Sequence, residues 1–280
     1  MSRVSIITGG AGGMGQATAE IVGRDHTVVL CDVRKDRLDS AAATLADLGI
    51  MTTVVHCDVT GRPAVNRLFE TAANLGTIAS VIHAAGVSPS MGDAAYVMRT
   101  NALGTVNVDE TFFETADEGA AIVNVASMAA HMLPDEMIPK SQFPQAMTDQ
   151  DAFMADMLAA CDVVPEEARS GIAYALSKSF VRWYSTSQAE RFNGKGLRVV
   201  SVSPGSIDTE MGRLEEQAGA GAMVADAAVP RWGKPEEMAE LLAFCASAKA
   251  GYLTGTDILN DGGVIASMTE RARTAAAENT

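Results

Sequence analysis

The chain is 280 residues long with 48% hydrophobic content, enough to bury a sizeable core in one domain. Its net charge of −14 argues against nucleic acid and anionic membrane partners, and no apolar stretch is long enough to cross a bilayer. A strand pattern begins almost at residue 2, which leaves no room for a removable leader; with it, four unpaired cysteines, Cys31, Cys57, Cys161 and Cys245, predict a reduced, cytoplasmic protein.

In chain order, strands are predicted at 4–8, 27–31, 53–57, 78–84, 120–126, 197–203 and 256–259. Helices are predicted at 14–24, 34–48, 63–75, 94–116, 171–193 and 235–248. The alternation predicts an α/β fold, a single doubly wound sheet of about seven parallel strands with helices on both faces. Ligands of such sheets bind outside the carboxyl ends of the strands. No repeat or low-complexity linker interrupts the pattern, so residues 1–265 read as one domain, and the Ala-rich, polar residues 266–280 read as a tail or a frayed helix.

The first strand runs directly into Gly9, Gly13 and Gly15, and a helical pattern follows at once. Glycine there allows a tight turn and close approach of backbone N–H groups to a pyrophosphate at the helix N-terminus. The spacing is T-G-x-x-x-G-x-G, and a plain strand-to-helix connection is the competing explanation for the turn taken alone. The second strand ends at Asp32, about 20 residues after the turn, where an acid can bind an adenosine ribose. A 2′-phosphate would meet that anion, which favours NAD over NADP, while Arg34 and Lys35 nearby act in the opposite sense. Farther along, Tyr174 and Lys178 share a helix face at i and i+4, so an ammonium group can lower the phenol pKa from its usual value of about 10.

Together these residues resemble the short-chain dehydrogenase/reductase family, over nearly all of the chain from Ser2 to about Gly263. The matching pieces are Thr8-Gly9…Gly13-x-Gly15, Asp32, Asp58-Val59, His83-Ala84-Ala85-Gly86, Asn101, Ser127, Tyr174…Lys178 and Pro204-Gly205-x-Ile207-x-Thr209. His83-Ala84 stands where the family usually has Asn-Asn, although the small Ala85-Gly86 pair is kept. The resemblance implies a Rossmann-type catalytic domain with Tyr174 as general acid/base, Ser127 bonding the substrate oxygen, Lys178 binding the nicotinamide ribose and Asn101 anchoring a water chain to it. It further implies that Gly9, Gly13, Met14, Gly15, Asp58, Val59, Ala85 and Gly86 contact the cofactor, and that Pro204, Gly205, Ile207 and Thr209 cover the nicotinamide. The expected function is NAD-dependent oxidation of a secondary alcohol or reduction of a ketone. A non-catalytic dinucleotide-binding regulator is the alternative, and the intact Ser127, Tyr174, Lys178 and Asn101 set speaks against it.

Two departures from a plain member carry further expectations. Between Ser127 and Tyr174 lie 46 residues, a long connection in which 149–160 has helical character through Phe153, Met154, Met157 and Leu158. The link from Gly86 to Asn101 is short. Both features resemble the branch of the family that includes bacterial 3α-hydroxysteroid dehydrogenase/carbonyl reductase, which implies a bulky, apolar or steroid-like substrate. Pocket walls are expected from 87–96, the inserted segment 131–168 and 210–229, with Met91, Met132, Met137, Met211 and Met223 as adaptable apolar side chains or as core filler. His131 stays outside the catalytic set, and no cluster has metal-ligand spacing. Family members commonly assemble through two surfaces, one of which the insertion would cover, so a homodimer through 235–265 is expected. A homotetramer remains open if 131–168 instead forms a lid over the active site.

Overall fold

The computed structural model describes residues 2–278. Seven strands, β1 Arg3–Thr8, β2 Thr27–Asp32, β3 Thr52–His56, β4 Thr77–His83, β5 Ala121–Val125, β6 Arg198–Pro204 and β7 Asp257–Asn260, form one sheet in the order β3-β2-β1-β4-β5-β6-β7. Every pairing is parallel, as the alternation predicts, and β1 carries β2 on one side and β4 on the other, with Thr8 in register with both Cys31 and His83. The chain order reverses at β1, so a crevice opens outside the carboxyl ends of β1 and β4. Strands covered on both faces need apolar side chains pointing both ways, and β5 and β6 are accordingly buried along their whole length.

Helices α1 Gly13–Val22, α2 Lys35–Asp47, α3 Arg62–Leu75, α4 Ala94–Met98, α5 Gly104–Thr115, α6 Gln150–Cys161, α7 Glu166–Ser187, α8 Ala189–Asn193, α9 Glu210–Leu214, α10 Gly221–Asp226, α11 Pro235–Ala246 and α12 Val264–Glu278 surround the sheet. Leu68, Phe69, Phe112 and Phe180 fill one face, while Ala19, Leu38, Leu45 and Leu242 fill the other. Each fully buried Leu or Phe contributes on the order of 2 kcal/mol.

The predicted helix over 94–116 is not continuous. Residues Arg99–Leu103 form a π-helical turn between α4 and α5. The Asn101 side chain accepts from Val87 N–H at 2.8 Å and donates to Val87 C=O at 3.0 Å, and Thr105 Oγ1 caps the Asn101 carbonyl at 2.7 Å. A wide turn here lets one asparagine clamp the chain after β4 without leaving its own backbone unsatisfied.

The insertion folds on itself. Phe143 meets Phe180 edge-on at 5.3 Å and Trp183 at 5.4 Å, and Phe153 meets Phe180 at 5.1 Å. Phe153, Met154 and Met157 of α6 are buried, as their spacing predicts, and α7 begins at Glu166 rather than at the expected 171. The segment therefore lies on the outer flank of α7. Beyond residue 265, α12 continues to Glu278 and docks on α10, with Arg271 paired to the Asp226 carboxylate at 2.9 Å and bonding its carbonyl at 2.8 Å. Residues 279–280 lie outside the described residues. No helix among the described residues is long and apolar enough to cross a membrane.

Candidate active site

At the crevice, β1 feeds a turn in which Gly9 adopts φ 63°, and a Cβ there would lie 2.7 Å from the Ala84 carbonyl. Only glycine fits that contact. Gly12 N donates to Gly9 O at 3.0 Å and α1 starts at Gly13, so the first free N–H groups of the helix face the crevice. A single cleft of about 790 Å³ runs from this turn along the carboxyl ends of the strands. It is lined by Gly9, Gly13, Met14, Gly15, Asp32, Asp58, Val59, Ala85 and Gly86 and, farther along, by Ser127, Tyr174, Lys178, Pro204, Gly205, Ile207 and Thr209.

Asn101 is the one predicted site residue that does not line the cleft. It sits one layer behind Gly86, where a Cβ would come within 3.1 Å of Asn101 Oδ1 and 3.3 Å of Lys178 Nζ. Its clamp on Val87, with a further bond to Ser177 Oγ at 3.2 Å, sets the position of that wall. Met137 is half-exposed away from the cleft, and of the insertion only Met132 lines it, so the expected wall narrows to 87–96, Met132 and the segment from Thr209 onward. Lys35 is likewise outside, and its place beside Asp32 is taken by Arg34 and Arg37. Arg37 reaches across to pair with Glu210 of α9, which no sequence signal singles out because the partners are remote in the chain.

Lys178 is buried with its ammonium group donating to Val125 C=O at 2.8 Å, and burial lowers its pKa to about 8. It lies 5.9 Å from the Tyr174 ring centroid. The expected lowering of the phenol pKa is not what the geometry produces. Burial raises it, the Ser127 hydroxyl within hydrogen-bonding reach acts the other way, and the Glu215 carboxylate adds to the rise. The lysine ammonium is directed at the Val125 carbonyl, and burial dominates at the phenol. The pair can nonetheless exchange a proton with an oxygen held against Ser127.

His83 supplies the bonds that its departure from Asn-Asn leaves in question. Nδ1 pairs with Thr8 Oγ1 at 2.7 Å and Nε2 with Thr105 Oγ1 at 3.1 Å, while Thr8 Oγ1 also accepts from Ala85 N at 3.2 Å. The ring thus ties β1, β4 and α5 beneath the cleft. Burial, with the nearby Lys178 charge, lowers its pKa from 6.5 to about 3. Between those values the unfolded chain binds a proton that the folded chain refuses, so stability is full above the unfolded pKa and falls as pH drops below it. Denaturant midpoints should show a loss of about 2 kcal/mol from about pH 7.5 to about pH 5 that His83→Asn removes. Equal pH slopes in the two proteins would show that His83 is not the group responsible.

Residues 3–139 match the short chain dehydrogenase family model, and residues 144–265 match that of enoyl-(acyl carrier protein) reductase. A short-chain dehydrogenase/reductase of Alternaria brassicicola is 31% identical over 95% of this chain and 97% of its own. Carbonyl reductase family member 4 of Danio rerio is 27% identical over 94% of this chain and 98% of its own. Among solved structures, a short-chain dehydrogenase/reductase from Serratia marcescens superposes with a TM-score of 0.75 at 21% identity, covering 94% of this chain and 98% of that one, a likeness of fold.

Proposed function

The chain belongs to the short-chain dehydrogenase/reductase family of oxidoreductases, and within it we propose an NAD-dependent enzyme that interconverts a secondary alcohol and a ketone. The observation that carries the reading is one cleft holding Gly13, Gly15 and Asp32 as well as Ser127, Tyr174 and Lys178. The residues fit a dinucleotide. A Cβ at Gly13 would meet Thr209 Cγ2 at 2.9 Å and one at Gly86 would approach Lys178 Nζ at 3.3 Å, so glycine keeps the cleft open at both points, and Ser206 Oγ in its wall is buried without a protein partner among the described residues.

A nicotinamide dinucleotide held in this cleft would supply hydride transfer to or from the substrate carbon. In oxidation Tyr174 takes the hydroxyl proton while Ser127 holds the oxygen, and in reduction Tyr174 gives the proton back. Lys178, whose ammonium donates to Val125 C=O, would bind the ribose hydroxyls. Gly9, Gly13, Met14 and Gly15 would hold the pyrophosphate, Asp32 the adenosine ribose, Asp58 and Val59 the adenine, and Ala85 and Gly86 the nicotinamide ribose. Pro204, Gly205, Ile207 and Thr209 would cover the nicotinamide. Asn101 acts through the wall it clamps. The wall formed by Met91, Met128, Met132, Met211, Met223 and Trp232 suits a bulky apolar substrate such as a steroid. The carbonyl reductase name of the Danio rerio relative supports the alcohol or ketone class. Four buried free thiols suit a reducing, cytoplasmic setting. A panel of secondary alcohols, steroids included, incubated with NAD and followed by nicotinamide absorbance tests the reading; no reduction across the panel, and no NADH oxidation with the matching ketones, would overturn it.

For assembly we propose a homodimer through 235–265. The strand β7 is a sheet edge, and Phe244 and Tyr252 beside it are exposed. Pairing these isologously closes a two-fold dimer, while the aromatic packing of 143–157 on α7 occupies the flank that a second interface would need. Light scattering at micromolar concentration should give twice the chain mass, and a clean tetramer would overturn the proposal.

A further inference from the structure

The cleft wall contributed by 87–96 and 209–223 holds Met91, Met211, Leu214 and Met223, and its charged groups are Glu210, which is paired with Arg37, and Glu215. Glu215 Oε1 accepts the Ser90 backbone N–H at 3.0 Å, which fixes the carboxylate between the two segments. No cation pairs with it among the described residues. The neighbouring Arg213 is engaged by Asp208 at 2.8 Å and Glu216 at 3.2 Å, with its guanidinium 4.3 Å over the Trp232 ring. Glu215 lines the same cleft as Tyr174 and Ser127. In the same wall Ser88 Oγ is buried without a partner among the described residues. With one backbone donor and no paired cation, the carboxylate keeps acceptor capacity and an uncompensated charge at the cleft, so a ligand donor opposite it is favoured while a ligand anion is repelled.

We propose that Glu215 is a specificity-determining residue that selects a substrate whose apolar body carries a hydrogen-bond donor, best a cationic amine, and rejects one carrying a carboxylate. The inference rests on the proposed alcohol and ketone chemistry only for which end of the molecule meets Tyr174. Charge complementarity at this point sets which alcohol binds, and the proton transfer is left to Tyr174. Glutamine at 215 keeps an oxygen for the Ser90 N–H and removes the charge alone.

The test uses 4-aminocyclohexanol and 4-hydroxycyclohexanecarboxylate, one ring with opposite charges, titrated calorimetrically into the NAD-loaded protein and then assayed for oxidation. The unmodified protein should bind the amine more tightly than the carboxylate by on the order of 10², and Glu215→Gln should shrink that ratio about tenfold or more. A ratio that Glu215→Gln leaves unchanged, or failure of both compounds to bind, overturns the inference. If binding discrimination collapses in the variant while neither alcohol is oxidised, the inference stands, and the reaction is judged by the wider alcohol and ketone panel. If both are oxidised with a ratio indifferent to residue 215, the reaction stands and the inference falls.

Discussion

Tyr174→Phe should retain NAD affinity while turnover of any oxidised alcohol falls by a factor on the order of 10² or more. The substitution removes one oxygen and keeps the ring. Tyr174 sits on α7 with Ser127 in reach of its hydroxyl and Lys178 one helical turn farther on, donating to Val125 C=O at 2.8 Å. The variant therefore keeps the wall and the lysine but loses the hydroxyl beside Ser127. Burial holds the Tyr174 phenol above its ordinary pKa, so in the resting protein it is a proton donor first, and its work as a base depends on positive charge brought beside it. Stopped-flow turnover with saturating NAD, together with calorimetric NAD binding, separates the two effects. Full activity in the variant would remove Tyr174 from the mechanism, and loss of NAD binding would mean that the hydroxyl serves the cofactor rather than the proton.

The sheet was legible because its signal is local. Each of the seven β-branched runs lies within a residue or so of a strand, and the turn from Thr8 to Gly15 carries its geometry in its glycines. Features that depend on distant partners were not legible. The π turn at Asn101 arises from a clamp on Val87, fourteen residues away, and the Arg37 to Glu210 pair joins α2 to α9. The sequence offers the insertion as a pocket wall or lid and as cover for an assembly surface, without deciding between them, whereas Phe143 and Phe153 find their apolar surface on Phe180 and Trp183. The rise in the Tyr174 pKa was missed for a related reason: i and i+4 spacing tells which side chains share a face, but it does not tell which acceptor the ammonium chooses or how deeply both are buried.

NAD should be used over NADP by on the order of 10² in kcat/KM, and Asp32→Ala should weaken NAD while narrowing that preference to about tenfold or less. Asp32 ends β2 with Oδ1 accepting from Arg34 N at 3.1 Å and Oδ2 from Ala11 N at 3.3 Å, so two backbone donors hold the carboxylate at the mouth of the cleft. Those bonds leave lone pairs for a ribose diol, and losing such a charged acceptor costs about 1.5–3 kcal/mol. A 2′-phosphate about 4 Å from the carboxylate would be opposed by about 4 kcal/mol at an effective dielectric constant of about 20. Two guanidinium groups act against this. Arg34 pairs with Asp36 at 3.5 Å and Arg37 with Glu210, and each partner acid draws off part of the charge that a phosphate would need. The exposed Arg34 pair is weak and yields readily, whereas Arg37 must release Glu210 of the opposite wall before it can turn to a phosphate. Steady-state kinetics with both cofactors decides between the groups: equal efficiency with NAD and NADP in the unmodified protein would mean that the two arginines, and not Asp32, set the choice.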